Sequence, residues 1–244
     1  MDRFFEIDFL RGLAVVLMVV FNWSFTLRFL DIFTIDGGWL YWWLFPRVVG
    51  GLFVFLAGLS IVLSYNRVKD KSRGFIYKKY LLRGGKIFSI GLGITVVTWL
   101  SFPSYTIWFG ILHLIGVSIV LSVLFFRFRR LLLIVGLIIL FFGFYFDTLN
   151  FNFSNLLWLG LKPLEFQTFD HWPLLPWFGL FLVGMFIGKI YARRKFLCSL
   201  HMPILKEISF LGRHSLIVYI IHQPLLILVL QLIGFNLNPQ LWFV

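Results

Sequence analysis

Charge and cysteine are scarce in this sequence. Only 13% of the 244 residues are charged, ten residues are acidic and one is cysteine. The lone Cys198 excludes a disulfide within the chain and a metal site built from several cysteines. Because 60% of the residues are hydrophobic and 20% are aromatic, the composition lies outside that of soluble globular domains. We therefore expect a protein whose solvent is lipid.

Long polar segments are also missing, so no soluble domain fits between the apolar runs. These runs recur along the whole length, and each holds about 20 residues, enough to cross a hydrocarbon core of roughly 30 Å. The first run is longer than a signal-peptide core, and no small-residue cleavage site follows it, so we expect it to remain. Hydropathy and helix breakers predict helices near residues 9–29, 47–65, 84–101, 108–126, 131–147, 173–191 and 213–234. The predicted fold is an all-α, polytopic membrane bundle of about seven transmembrane helices, with residues 1–244 as a single membrane-embedded domain.

The basic residues predict the orientation of this bundle. With the N-terminus inside, all of the 22 Lys and Arg residues fall on the cytoplasmic side except Arg28, Arg47 and Lys162. Cytoplasmic loops collect Lys and Arg, so we expect the N-terminus inside and the C-terminus outside. The same rule explains the formal charge of +12 without a nucleic-acid partner. We expect a multi-pass protein of the plasma membrane in contact with membrane lipids, and a homodimer is left open.

Three polar residues interrupt the first apolar run. At 100° per residue, Asp8, Arg11 and Asn22 fall within a sector of about 60° on one helix face, and Arg11 and Asn22 are about 16 Å apart along the axis. This stripe predicts a polar passage that begins at the cytoplasmic end of the helix. The alternative is an interfacial Asp8–Arg11 ion pair and an Asn22 that bonds a neighbouring helix. An amide so deep in the membrane costs free energy unless a partner or a wet cavity satisfies it.

Two histidines lie within predicted spans. In the last span, Ser215, Tyr219 and His222 share a face within about 40°, and Pro224 removes a backbone donor just after the histidine. In the fourth span, His113 lies about 8 Å below the outer end. A neutral histidine that joins two helices is the alternative reading for each of them. Together with Asn22 they favour a functional cavity.

The two outer loops, residues 30–46 and 148–172, are rich in aromatic residues. Their tryptophans are typical of interfacial anchors, and a substrate platform is the alternative. His171 follows Asp170, and a neighbouring carboxylate raises the pKa of a histidine, although a solvated loop pair is the simpler interpretation. No histidine has metal-ligand spacing, so we predict no metal site.

The predicted cytoplasmic loop 66–86 has eight basic residues against one acid. Such runs usually determine orientation or contact anionic lipids. A nucleotide phosphate is the sharper alternative, and coenzyme A fits it, because its phosphates need cations at the cytoplasmic face. Lys78, Lys79 and Arg83 are the candidate ligands.

Four segments together resemble the heparan-alpha-glucosaminide N-acetyltransferase family and, more distantly, the acyltransferase-3 group. They read "EIDFLRGLAVVLMVVFNW", "GLFVFLAGLS", "FGILHLIGV" and "LGRHSLIVYIIHQP". The resemblance implies transfer of an acetyl or short acyl group from cytosolic acetyl-CoA to an amine or hydroxyl of a sugar or glycolipid on the other side. It also implies that Asn22 contacts the thioester or orients the acceptor, and that Asp8 and Arg11 shape the cofactor channel.

The chain departs from that family in the loop after the first span. The eukaryotic enzymes carry a histidine there, where this sequence reads "TIDGGW" and places Asp36. The general base is therefore Asp36, His113 or His171, and a carboxylate with a reference pKa near 4 is the weaker base. The predicted catalytic residues are Asn22, Asp36, His113, His171 and His222, and the predicted acetyl-CoA ligands are Asp8, Arg11, Lys78, Lys79, Arg83 and Tyr219. A transporter or flippase for an anionic lipid or sugar uses the same polar stripe and basic inner mouth, and it is the alternative function.

Overall fold

The structure, a computed structural model, describes residues 5–149, 151–192 and 203–235. These ranges contain eight α-helices and no β-strand: α1 (Phe5–Phe29), α2 (Phe45–Asn66), α3 (Arg73–Ser101), α4 (Ile111–Ser122), α5 (Arg129–Asp147), α6 (Leu174–Tyr191), α7 (Pro203–Arg213) and α8 (Ser215–Leu232). A π-helix, Leu40–Leu44, runs directly into α2. In this part of the chain, α1, α2, α3, α5, α6 and α8 are long and apolar enough to cross a membrane. The prediction of an all-α, multi-pass membrane protein is confirmed.

The described residues divide into two compact units. The first consists of residues 5–56 and 203–235, and the second of residues 57–149 and 151–192. The first unit therefore joins the two ends of the described chain, and the second is continuous in sequence apart from residue 150. The single domain over residues 1–244 stays a prediction.

Helix α3 begins much earlier than the predicted span near 84–101. Ser72 caps its N-terminus, because the Ser72 hydroxyl oxygen accepts a hydrogen bond from the Phe75 N–H at 3.3 Å. Ile76 and Tyr80, one turn apart, are buried and hold this first part of the helix against the protein. The basic residues between them lower the mean hydropathy of this segment, so the hydropathy pattern did not predict a helix here. The predicted loop 66–86 is thus wrong beyond Ser72, and its remaining basic residues lie on a helix.

Helix α7 is a second correction, because the sequence reading placed no helix between residues 191 and 213. Its exposed side carries charged residues and its buried side carries Ser209 and Gly212, so its mean hydropathy gives no membrane signal. His214 has φ −105° and ψ 19°, which ends α7 and separates it from α8. The predicted span 213–234 therefore covers the end of one helix and the whole of the next.

Helix α4 is shorter than the predicted span 108–126. With the following 3-10 turn, Val123–Phe125, it runs from Ile111 to Phe125, about 22 Å at 1.5 Å per residue. Most of its residues are buried, as expected for a helix that is apolar all round. The count of seven apolar helices holds for the residues described, but the fourth of them is shorter than the other six.

Glycines mark the closest helix contacts in the first unit. A Cβ added to Gly12 of α1 would overlap the carbonyl oxygen of Ile208 in α7. A Cβ added to Gly212 of α7 would overlap the carbonyl oxygen of Asp8 in α1. The backbones of α1 and α7 therefore touch along the turn that carries Asp8, as small residues allow in membrane helices.

Glycines also mark three close helix contacts in the second unit. Gly84 of α3 faces Gly116 of α4, where an added Cβ would lie 2.6 Å from the opposite carbonyl oxygen. Gly179 of α6 faces Gly136 of α5 with the same 2.6 Å separation. A Cβ at Gly188, also in α6, would lie 2.8 Å from the carbonyl oxygen of Leu59 in α2. Gly179 and Gly188 are thus positions of close helix packing.

Candidate functional site

Two polar side chains that the sequence singled out in distant helices meet in the first unit. The amide Nδ2 of Asn22 in α1 lies 3.1 Å from Nε2 of His222 in α8. The His222 ring is buried, with 6% of its surface exposed. Asn22 is half-buried and bonds a helix rather than facing lipid. Each of these groups thus satisfies the other where an unpaired polar group would be costly.

The second ring nitrogen of His222 fixes the tautomer. Nδ1 lies 2.6 Å from the carbonyl oxygen of Tyr219, one turn earlier in α8. A carbonyl only accepts, so Nδ1 carries the proton and donates it to Tyr219. Nε2 is left with a lone pair, which accepts the N–H of Asn22. The site therefore presents a neutral imidazole with its basic nitrogen held by a side-chain amide.

Further hydrogen bonds join α1 to α8 around this pair. The indole Nε1 of Trp23 donates to the carbonyl oxygen of His222 at 3.1 Å. Thr26 donates to Oε1 of Gln223 at 3.3 Å and accepts from its Nε2 at 3.2 Å. The sequence reading missed all three residues. Thr26 stands four positions after Asn22, on the same helix face, and Gln223 is the neighbour of His222, so both signals were present.

Pro224 lies inside α8, two residues after His222. Proline has no N–H, so the carbonyl of Ile220 loses its usual partner four residues on. Here the hydrogen bonds from Trp23 and Thr26 secure the helix at residues 222 and 223. The histidine is thus held in place by α1 at the point where α8 itself is weakened.

The C-terminal part of α1 also anchors the segment that follows it. The hydroxyl of Tyr41 in the π-helix donates to Oγ of Ser24 at 2.8 Å. The ring of Phe21 packs against Tyr41 and Phe45 with centroids 5.8 and 6.0 Å away. Asp36 precedes this π-helix and is exposed, so its carboxylate is open to solvent.

Asp8 and Arg11 form an ion pair at the start of α1. Nη1 of Arg11 lies 3.2 Å from Oδ1 of Asp8, and the two side chains are about one-fifth exposed, 21% and 18%. The pair lies where Gly12 brings α7 against α1. This is the ion pair that the sequence reading held as the alternative to a channel lining. A role of both residues toward a cofactor stays a prediction.

The other predicted acetyl-CoA ligands lie in both units. Tyr219, in the first unit, has its ring centroid 5.8 Å from that of His222. Lys78, Lys79 and Arg83 lie in α3 of the second unit. Lys78 and Arg83 are exposed, and the ammonium of Lys79 lies 5.5 Å from the centroid of the Tyr80 ring.

His113 begins α4 in the second unit and is enclosed. Its Nδ1 accepts a hydrogen bond from the Gly110 N–H at 3.2 Å, so Nε2 carries the proton and faces Oγ1 of Thr95 at 3.4 Å. The ring is 2% exposed and packs against Phe88 and Phe109 at centroid distances of 5.2 and 5.5 Å. These contacts favour the reading of His113 as a neutral histidine that joins α3 to α4.

His171 and Asp170 are adjacent in the sequence but form hydrogen bonds with different partners in the second unit. Nε2 of His171 donates to the carbonyl of Leu157 at 3.1 Å, while Oδ2 of Asp170 accepts from the Ile111 N–H at 3.0 Å. Burial lowers the pKa of His171 below its ordinary value, and the bond to Leu157 offsets this only in part. The rise in the pKa of His171 that the sequence left open therefore does not occur, and the Asp170 carboxylate instead caps the N-terminus of α4.

The fold and this geometry define a class, an all-helical membrane protein with a buried amide–imidazole pair. The family profile described as heparan-alpha-glucosaminide N-acetyltransferase, catalytic, matches residues 3–224 of the chain. The chain therefore belongs to this family of membrane acetyltransferases, which confirms the resemblance found in the sequence. No curated protein and no solved structure shows significant similarity to the chain.

Proposed function

We propose that this protein transfers an acetyl group from acetyl-CoA to an amine or hydroxyl of a sugar-type acceptor, with Asn22 and His222 at the reacting centre. The observation that carries this proposal is the 3.1 Å contact between the Asn22 amide and Nε2 of His222. It supplies a hydrogen-bond donor and a neutral base side by side, as acyl transfer requires. Membership of the acetyltransferase family supports the reaction type.

His222 is the proposed general base. The acceptor N–H or O–H gives its proton to Nε2 as the acceptor atom bonds to the thioester carbonyl carbon. The carbon–sulfur bond then breaks, and the imidazolium returns the proton to the thiolate, which leaves as free CoA. The bond from Nδ1 to the Tyr219 carbonyl, 2.6 Å, holds the ring in the tautomer that this role needs. The acceptor takes the place that the Asn22 N–H occupies at Nε2.

Asn22 is the proposed donor to the thioester oxygen. Its amide nitrogen carries two hydrogens, one of which bonds His222. When the acceptor replaces that N–H at Nε2, the amide turns to donate to the negative charge that develops on the carbonyl oxygen. Removing one such donor elsewhere lowers kcat by about 10²–10³, which sets the size of the expected effect. The hydrogen bonds of Trp23 and Thr26 to α8 keep the two side chains in register.

The three bases predicted from the sequence fit this role less well than His222. His113 is enclosed by rings, and both of its nitrogens face partners within the protein. His171 donates from Nε2 to a backbone carbonyl in the second unit. Asp36 is exposed in the first unit and is better suited to contact an acceptor than to remove a proton from it. We therefore place His222 ahead of all three.

Acetyl-CoA is proposed to enter from the cytoplasmic side of a plasma-membrane protein with its N-terminus inside. The distribution of basic residues supports this orientation. Asp8 and Arg11 lie on the helix that carries Asn22, toward its other end, and are proposed to contact the cofactor in the first unit, where Tyr219 is proposed to contact its acyl end. Contact of its phosphates with Lys78, Lys79 and Arg83 in the second unit stays a prediction from their charge.

The test uses the full chain purified in lipid nanodiscs. Acetyl-CoA and a panel of amino and neutral sugars are offered, and free CoA and acetylated sugar are both quantified. Thiol reagents also detect Cys198, so a Cys198→Ser variant is the background control. We expect sugar-dependent release of CoA. A transporter or flippase would release none, and that result would overturn the proposal.

The site itself is tested by a matched pair of variants on α1. Asn22→Ala should lower turnover by about 100-fold, because it removes the oxyanion donor. Val20→Ala is the control, since Val20 lies two residues away on the same helix and is 50% exposed. Equal effects of the two changes would refute the placement of the site at Asn22.

A further inference from the structure

We propose that Trp39 and Trp43 form a stacking platform for the sugar ring of the acceptor. This inference rests on the proposed function and adds to it the surface that holds the non-reacting part of the acceptor. The platform lies in the first unit, which also carries Asn22 and His222. It is built from the π-helix and the residues on either side of it.

Three side chains spaced four residues apart, those of Trp39, Trp43 and Arg47, form one continuous stack, which we call the ladder. The indole rings of Trp39 and Trp43 stack with their centroids 4.7 Å apart and their planes 18° from parallel. The guanidinium carbon of Arg47 lies 4.2 Å from the centroid of the Trp43 ring, and Nη1 of Arg47 donates to the Trp43 carbonyl at 2.9 Å. Stacking and cation–π contacts of this kind fix the rings in one orientation. The ladder is therefore a preformed surface.

The open end of the ladder is Trp39. It is 60% exposed, and among the described residues Trp43 is the ring that stacks on it. The preceding Gly38 has φ +56°, and a Cβ built there meets no atom within 4 Å. One indole face thus borders open space, and the backbone beside it has no side chain to obstruct a ligand.

The segment before Trp39 also carries a polar group. The carboxylate of Asp36, three residues earlier in the sequence, is exposed and able to accept hydrogen bonds. A pyranose ring presents C–H groups on its face and hydroxyls at its edge, so it is held by a flat aromatic surface together with a few polar groups. A tryptophan that only anchors a membrane interface does not need a fixed stack on a second indole ring. The combination favours a sugar over a lipid chain.

The platform is attached to the part of α1 that carries Asn22. Tyr41, between Trp39 and Trp43, donates to Ser24 at 2.8 Å. Phe21 packs against the ring of Tyr41 at 5.8 Å. Phe21 and Ser24 flank Asn22 along α1, so the platform and the proposed centre are fixed to the same turns of one helix. An acceptor ring on Trp39 is thereby oriented by the helix that presents the Asn22 amide.

The test compares acceptor kinetics of two exposed tryptophans in nanodiscs. Trp39→Ala should raise the KM for the sugar about five- to tenfold, the value of one aromatic contact. The KM for acetyl-CoA and kcat should stay within twofold. Trp99→Ala is the control, because Trp99 in α3 is similarly exposed, at 54%, and belongs to the second unit. Trp39→Phe keeps an aromatic face, so it should recover most of the affinity.

Several outcomes overturn the platform. One is an acceptor KM that Trp39→Ala leaves unchanged or raises no more than Trp99→Ala does. Another is a change in kcat and both KM values together, which indicates a structural or membrane-anchoring role. If wild-type protein releases CoA, the proposed function survives either result. If the wild type releases no CoA, saturation-transfer NMR still decides whether Trp39 binds the sugar. The sugar signals are compared between the wild type, Trp39→Phe and Trp39→Ala.

Discussion

The two units each bury a histidine that the sequence reading singled out, and the two rings are held in opposite ways. In the first unit, Nδ1 of His222 donates to a backbone carbonyl and its Nε2 faces the side-chain amide of Asn22. In the second unit, Nδ1 of His113 accepts from a backbone N–H and its Nε2 carries the proton. His222 thus keeps a basic nitrogen toward a group that can rotate away, while the basic nitrogen of His113 is fixed to the backbone.

This difference separates a site from a structural contact more clearly than burial does. Both rings are nearly inaccessible, with exposed fractions of 6% for His222 and 2% for His113. A general base needs a lone pair that a substrate reaches without breaking the backbone framework. His222 meets this condition once Asn22 moves, and His113 meets it only if the start of α4 opens.

The largest expected effect concerns the basic nitrogen of His222. His222→Gln keeps a polar side chain of similar reach but removes the base, so kcat should fall by about 10²–10⁴. The measurement is sugar-dependent CoA release by nanodisc-embedded protein, with thermal unfolding as the test of folding. His113→Gln is the control in the second unit, and its kcat should stay within a few-fold of the wild type. A drop of kcat in the His113 variant as large as that in the His222 variant would reverse the comparison.

The second effect concerns the stability that His113 provides. His113→Ala leaves the N–H of Gly110 without its partner and opens a cavity between Phe88 and Phe109. We expect the free energy of unfolding to fall by about 2–4 kcal/mol, measured by denaturant or thermal unfolding of the purified protein. Stability unchanged within error would show that the enclosure of His113 is not what holds α4.

A third effect concerns the contact between α1 and α7. Gly212→Ala places a methyl group against the carbonyl of Asp8 and should cost about 1–3 kcal/mol, because two backbones must separate. The KM for acetyl-CoA should rise with it if Asp8 and Arg11 bind the donor. Gly93→Ala in α3 is the control, since a Cβ there meets nothing within 4 Å. Loss of stability in both variants to the same extent would show that helix packing at Gly212 is not the cause.

The smallest effect is a pH dependence that belongs to the second unit. Because burial lowers the pKa of His171 in the folded state, the unfolded chain binds its proton first as the pH falls. The contribution of neutral His171 to the free energy of unfolding is therefore complete above about pH 6.5, the pKa of histidine in the unfolded chain. This contribution is lost as the pH falls through the lower pKa of His171 in the folded protein. Unfolding midpoints between pH 7.5 and 5 should fall less steeply in His171→Gln than in the wild type. Identical slopes would exclude His171 as the source.

Much of the fold followed from the sequence because lipid imposes strong constraints. Long apolar runs gave the positions of most helices. The beginning of α3 and the whole of α7 were missed, because their buried faces are narrow and their exposed residues are charged. The mean hydropathy over a window combines both faces and falls below the value expected for a membrane span. These helices form through contacts such as Tyr80 with Ser64 and Gly212 with Asp8, which no local window contains.

The candidate site was predictable in part. Asn22 and His222 were singled out because each is a costly polar group within an apolar helix. Their contact at 3.1 Å and the bond from Trp23 to a backbone carbonyl depend on how α1 and α8 are rotated, which one sequence does not reveal. For the same reason His113 and His222 had equal weight as candidates, because their hydrogen-bond partners distinguish them and a sequence does not contain those partners.

The pairing of α1 with α8 has a consequence for biosynthesis. Asn22 and His222 are 200 positions apart, so the first helix enters the bilayer long before its partner is translated. Until then the amide must rely on water, lipid headgroups or a chaperone. The arrival of α8 both relieves that exposed group and creates the arrangement proposed for chemistry. The Asn22–His222 pair therefore forms only when α8 has joined α1, and a chain synthesised as far as α7 does not yet contain it.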